Sequence, residues 1–297
     1  MNIKKVIITK GIYDNKELRL LVSFDELDNP LDIINIDESH VGEVRLVIVE
    51  KVLKDIDACI LRFEDGSKGF IENRKLNKDY FLEIHSENKP VCQGDRFYVQ
   101  ISQDSKDMKP MSCNFVKETA QDIDLISYYL DRYASDAEII SDIANINSKY
   151  NYRLYSDDSI SLWQLYDITK IIDRATSKTS YLKGGGNIVI EHTEAMTVID
   201  VNTASNYGKT SSIETNIQAV EEIARHIRLR SISGIIVIDF LKVNEEQQAQ
   251  IIDAFKTATS DDYAMVRVHD FTRLGLLEVT RSRIYRPFEI NPGKESV

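Results

Sequence analysis

The sequence has few cysteines and no long apolar run, and both absences narrow the class of protein. Its 297 residues include three cysteines, Cys59, Cys92 and Cys113, and no two of them have metal-ligand spacing. An odd number at such spacings predicts reduced thiols rather than a disulfide framework. No stretch approaches the roughly 18 apolar residues of a membrane span, and the apolar run after Met1 is too short for a signal peptide. We therefore expect a cytoplasmic protein that does not associate with membranes.

An excess of positive charge is also missing. The formal net charge is −11, with 42% hydrophobic and 29% charged residues, as in an ordinary globular protein. This charge argues against indiscriminate coating of nucleic acid or anionic membrane, although a local basic groove remains compatible with it. The length allows two or three modest domains.

Strand and helix patterns follow one another along the chain. Residues 18–24 are strand-like, and residues 41–116 contain short strands separated by turns, which is typical of a small barrel. Helical periodicity predicts helices at about 161–177, 212–230 and 244–258, with Ser211 or Ser212 able to cap the second. Lys183 to Gly186 predicts a turn into a strand, and Ala264 to Val268 a last strand. The order indicates a mixed α/β (α+β) fold.

Two apolar runs each lead into an aspartate, and a predicted helix separates them. The first run contains Asp200 and Asn202, and the second ends at Asp239 and Phe240. A strand–helix–strand crossover of about 40 residues can place both carboxylates at the carboxyl edge of one sheet. Two adjacent carboxylates repel, and a divalent cation such as Mg²⁺ is the usual explanation for such a pair. The alternative from spacing alone is that each aspartate caps a helix or loop amide.

Four sequence segments, here called blocks, follow one another along the chain around these residues. They are Thr193–Asn202, Thr215–Arg230, Gly234–Phe240 and Leu274–Arg283. Together they resemble the catalytic core of the ribonuclease E/G family over about residues 185–285. The resemblance implies a metal-dependent endoribonuclease with Asp200 and Asp239 as Mg²⁺ ligands, Mn²⁺ as a substitute metal, and Asn202 as the catalytic asparagine.

The resemblance extends to the domain organisation. It implies an RNase H-like subdomain from residues 1–40 and 117–180, an inserted S1 (OB-fold) RNA-binding barrel from 41–116, and a DNase I-like catalytic subdomain from 181–297. Phe70 matches a base-stacking position and Lys109 a basic RNA contact, although Phe70 is equally explained as core packing. Single-stranded RNA is the implied partner.

Several arginines complete the candidate RNA-binding set. Arg225, Arg228 and Arg230 could bind the RNA backbone through forked hydrogen bonds, or could form salt bridges on a solvated helix face. Arg273 matches a family arginine near the pocket that binds the RNA 5′ end.

The chain also departs from the family pattern. The helix-like residues 122–126 follow the S1 region almost directly, where the family has its 5′-sensor segment, and no cysteine follows Cys113. We therefore expect no structural zinc and no zinc-linked tetramer, but a monomer or homodimer. These departures keep a second hypothesis open, an RNA-binding protein without turnover, and a DNA nuclease is a third.

Overall fold

The computed structural model describes residues 3–106, 109–117, 124–146, 149–203 and 211–289. It confirms a mixed fold of helices, open sheets and one closed barrel. The strands are β1 (Lys5–Tyr13), β2 (Lys16–Phe24), β3 (Pro30–Asn35), β4 (Val44–Leu53), β5 (Ala58–Arg62), β6 (Lys68–Glu72), β7 (Arg96–Gln103), β8 (Met111–Val116), β9 (Glu138–Ser141), β10 (Arg153–Leu154), β11 (Thr179–Tyr181), β12 (Asn187–His192), β13 (Met196–Asn202), β14 (Gly234–Asp239), β15 (Val266–Phe271) and β16 (Leu276–Arg281). The helices are α1 (Leu125–Tyr133), α2 (Leu162–Leu165), α3 (Ile168–Thr176), α4 (Ser212–Leu229) and α5 (Glu245–Ala258).

The described residues form two compact units, and the smaller one contains the barrel. Strands β4-β5-β6-β8-β7 close on themselves, and α1 belongs to the same unit. Alternate barrel residues such as Val47, Leu61 and Phe97 point inward and are fully buried, so outward positions remain for a ligand. The strand β8, which closes the barrel, is absent from the sequence prediction.

The larger unit contains a five-stranded sheet in the order β10-β9-β1-β2-β3. Strands β1 to β3 are antiparallel, whereas β9 runs parallel to β1. Helices α2 and α3 cover its apolar face, and Gly11 lets the Trp163 ring approach β1, because a Cβ there would lie 2.4 Å from the ring. The single helix predicted at about 161–177 is wrong: Asp167 has a positive φ of 49° and separates α2 from α3.

A second sheet in this unit has the order β11-β12-β13-β14-β16-β15. Strand β13 pairs with β14 in parallel, while β16 runs antiparallel between β14 and β15. One face packs on α4 and α5 through buried residues such as Ile199, Ile238 and Ile223. The alternate residues of β13 and β14, including Asp200 and Asp239, lie on the opposite, open face.

Helix α4 follows the sequence prediction closely. Its N-cap is Ser211, whose hydroxyl accepts from the Glu214 amide while the Glu214 carboxylate accepts from the Ser211 amide. Its apolar face, with Val220 and Ile227, is buried against the sheet. The helix therefore fixes the connection between the two aspartate strands.

Within the described part of the chain, the helices are too short or too polar to cross a membrane.

Candidate active site

The two aspartates singled out in the sequence are direct neighbours across the sheet. Asp200 on β13 is paired in register with Asp239 on β14. Residues opposite one another on adjacent strands are separated by about 5 Å, so both carboxylates leave the same face at the same level. Both residues are exposed. The strand pairing therefore creates a concentrated site of negative charge at the carboxyl edge of β13 and β14.

Asn202 belongs to the same site. It follows Asp200 by two residues on the open face, and its Nδ2 donates to Asp200 Oδ2 at 2.8 Å. Among the described residues, no backbone N–H and no basic side chain donates to either carboxylate. Within the described ranges, helix or loop capping, the alternative from spacing alone, therefore does not account for the pair.

The donor set fits a hard divalent cation. Mg²⁺ is commonly held by one or two carboxylates and keeps several waters and substrate oxygens. Over the described ranges, no cluster of three or more His, Cys, Asp or Glu side chains could enclose a metal. A two-carboxylate site open to solvent suits Mg²⁺ better than a closed structural Zn²⁺ site.

A buried asparagine that the sequence analysis missed fixes the chain after Asp239. The Asn216 side chain on α4 is fully buried, donating to the Leu241 carbonyl at 2.9 Å and accepting from the Leu241 amide at 3.1 Å. These two bonds tie the end of β14 to α4. The sequence contained one indication of this role, because Asn216 is a polar residue on the apolar face of the predicted helix, between Ile213 and Val220.

The arginines in α4 and at its C-terminal end lie on the helix-covered side of the sheet, away from the open face. Arg228 is 5% exposed and forms two hydrogen bonds to Asp32, from Nε at 3.0 Å and Nη2 at 2.9 Å. Arg230, 4% exposed, donates to His226 Nδ1 and to the Arg174 carbonyl. Their burial corrects the sequence interpretation, since both guanidinium groups make internal contacts instead of facing RNA. Arg225 is half-buried and pairs with Glu222 at 2.9 Å.

A polar network surrounds Glu222 beneath this sheet. Its carboxylate accepts from Arg174 at 2.7 Å, Ser180 at 2.8 Å and His226 at 3.1 Å. Burial alone would raise the pKa of Glu222, but the hydrogen bonds from His226, Arg174 and Ser180 outweigh it and hold that pKa well below its usual range. Burial lowers the pKa of His226, and the hydrogen bond to Glu222 opposes this only in part. Arg230 donates to Nδ1, so the neutral imidazole carries its proton on Nε2.

This network predicts acid-sensitive stability. The unfolded chain binds a proton at His226 near pH 6.5, whereas the folded pKa is lower. The contribution of the neutral imidazole to the free energy of unfolding is therefore fully present above pH 6.5. This contribution falls as the pH decreases towards the folded pKa, by at most about 1.4 kcal/mol per pH unit. Urea unfolding between pH 5 and 8 measures the slope. His226→Gln, which keeps a donor for Glu222 but does not titrate, should have a shallower slope, and an unchanged slope would contradict the assignment.

The other predicted RNA contacts lie on two different surfaces. On the barrel, half-buried Phe70 pairs across β5 and β6 with Ile60, and exposed Lys109 shares with Ile60 a surface depression of about 820 Å³. In the larger unit, exposed Arg273 lies in the turn before β16, whose first residue, Leu276, pairs with Asp239. Of the predicted arginines, Arg273 is therefore the one at the edge that carries the aspartate pair.

Comparison with known proteins places these residues in a family. The model of the ribonuclease E/G family matches residues 72–284. Ribonuclease G of Salmonella typhimurium (strain SL1344) is 39% identical over 127 residues, covering 41% of this chain and 26% of that protein. Ribonuclease G of Escherichia coli (strain K12) is 38% identical over 133 residues, covering 43% and 27%. The chloroplastic ribonuclease E/G-like protein of Arabidopsis thaliana is 40% identical over 135 residues, covering 43% and 14%.

The family match includes most of the chain and both aspartates. The chain therefore belongs to the ribonuclease E/G family, as the four sequence blocks predicted. The aligned regions span about a quarter of the length of the two bacterial relatives.

Proposed function

We propose that this chain is a Mg²⁺-dependent endoribonuclease that hydrolyses phosphodiester bonds of single-stranded RNA. The observation that carries the proposal is the in-register pair of Asp200 and Asp239 on an open sheet face, with Asn202 bonded to the first carboxylate. Relatives named ribonuclease G support RNA as the substrate.

Each residue of the site has a separate task in this proposal. Asp200 and Asp239 would hold the cation, which would supply activation of a water and neutralisation of charge on the phosphate. Asn202 restrains Asp200 through its amide and leaves its Oδ1 free to orient a water or a substrate hydroxyl. Hydrolysis would leave a 5′-phosphate and a 3′-hydroxyl. Phe70 and Lys109 on the barrel would hold unpaired nucleotides by stacking and charge.

A cleavage assay tests the proposal. AU-rich single-stranded RNA carrying either a 5′-monophosphate or a 5′-hydroxyl is incubated with the protein in Mg²⁺ or in EDTA. We expect cutting in Mg²⁺ alone. We also expect similar rates for the two ends, because only eight residues separate the end of β8 from the start of α1, too few for a further end-binding domain between them.

The same assay separates the alternatives. RNA that is bound but uncut in Mg²⁺ would contradict the proposal and identify an RNA-binding protein without turnover. A DNA oligomer of equal sequence that is cut faster than the RNA would identify a DNA nuclease.

A further inference from the structure

An exposed tyrosine lies in the same row of the sheet as Asn202, the asparagine of the proposed active site. Tyr181, the last residue of β11, pairs with Asn187 on β12, and Asn187 pairs with Asn202 on β13. Residues directly opposite one another share a face of the sheet, so Tyr181 is on the open face with Asn202. Two strand spacings separate them, about 10 Å.

The neighbouring positions confirm which face this is. Ser180, adjacent in β11, points to the helix-covered side and donates to Glu222 of α4. Thr179 pairs with Val189, which in turn pairs with Asp200. Two adjacent rows of residues therefore cross the open face. One row contains Thr179, Val189 and Asp200. The other contains Tyr181, Asn187 and Asn202.

The Tyr181 side chain is unusually exposed for a residue of its size. It is 79% exposed, and among the described residues it has no hydrogen-bond or ring partner. Tyrosines that serve a fold normally bury their ring, because the ring contributes a large apolar area. Packing does not explain this ring, whereas a ligand that stacks on it would cover the exposed area.

Positive charge surrounds the same edge. Exposed Lys183 lies in the turn between β11 and β12, Lys242 follows Asp239, and Arg273 lies in the turn before β16. All three turns leave the sheet at the edge of the aspartate pair, and none of the three side chains has an ion-pair partner within the described ranges. An aromatic face beside unpaired cations is the combination that binds single-stranded nucleic acid.

We propose that Tyr181 is a stacking platform for one nucleobase of single-stranded RNA, next to the nucleotide whose phosphate lies at Asp200 and Asp239, with Lys183 contacting the adjoining phosphate. The inference rests on the proposed function, because that function supplies the RNA and its position. It adds a base subsite on the edge strand β11, separate from the barrel.

Fluorescence of 2-aminopurine in RNA tests the platform directly. The full chain is mixed in EDTA with single-stranded RNA 12-mers that carry 2-aminopurine at one position in turn, and gel electrophoresis verifies that the RNA is intact. Stacking on an aromatic ring quenches the fluorescence of 2-aminopurine. We expect a quenched position in the parent protein that Tyr181→Ala abolishes, with affinity reduced roughly 5- to 150-fold. Tyr181→Phe should restore both, since the ring remains. Ile12→Ala, an equally exposed site on β1, is the matched control.

The outcomes distinguish this inference from the proposed function. If Tyr181→Ala keeps the parent quenching and affinity, or if Tyr181→Phe behaves like Tyr181→Ala, the platform is wrong even where the parent cuts RNA. If the quenching depends on Tyr181 but no RNA is cut in Mg²⁺, the platform stands and the nuclease proposal fails. A chain that binds no RNA would overturn both.

Discussion

Replacing Asp239 by asparagine should reduce Mg²⁺-dependent RNA cleavage by more than roughly 100-fold, because even residues that only support a metal ligand change affinity or activity 10- to 100-fold. The same substitution should weaken Mg²⁺ binding measured by calorimetry. It should leave the fold intact, since Asp239 is exposed and directly opposite Asp200. Removing one of two like charges at opposed positions should even stabilise the metal-free protein slightly.

A third carboxylate on the open face provides a matched control for that experiment. Glu278 on β16 is exposed and lies opposite Val237, one row from Asp239. Glu278→Gln makes the same change in charge on the same face, so a general electrostatic effect on RNA would appear in both variants. We expect cleavage by Glu278→Gln within a few-fold of the parent. If Asp239→Asn cuts as fast as Glu278→Gln, the assignment of the metal site is wrong.

Local sequence signals predicted the elements around the aspartate pair. Apolar β-branched runs identified β13 and β14, and the helical period together with Ser211 and Glu214 identified α4 within one residue at each end. These features depend on neighbours in the chain, so a single sequence contains them. The parallel pairing of Asp200 with Asp239 is compatible with the length of the crossover, but that length alone also allowed two separate capping aspartates.

Features that depend on distant partners were not predictable in the same way. Strand β16 lies between β14 and β15 although it follows both in sequence. The sequence left Arg228 open between an RNA contact and a salt bridge on the helix face, because its partner, Asp32, is 196 residues away. An arginine in an amphipathic helix has the same sequence signature whether a buried carboxylate or a phosphate neutralises it. Only the tertiary contact distinguishes the two roles.

Replacing Arg228 by alanine should reduce the free energy of unfolding by about 3–5 kcal/mol, because it removes the guanidinium group that is hydrogen-bonded to a buried carboxylate. Asp32 is fully buried on β3, where it also accepts a hydrogen bond from the neutral hydroxyl of Ser23. Arg228 also lies over the Tyr263 ring, 5.2 Å from its centroid, so the substitution removes packing as well as charge. Urea unfolding at pH 7 measures the loss.

Arg225 provides the comparison that separates a structural ion pair from a helix-surface arginine. It lies one turn earlier on α4, is half-buried, and shares Glu222 with Arg174 and His226. Because Glu222 keeps those partners, Arg225→Ala should cost about 1 kcal/mol or less. Equal stability of the two variants would contradict the role given to Arg228.

At temperatures where Arg228→Ala remains folded, its RNA affinity should match that of the parent. Arg273→Ala should bind RNA more weakly, because Arg273 is exposed at the aspartate edge and the Arg228 guanidinium is already bound to Asp32.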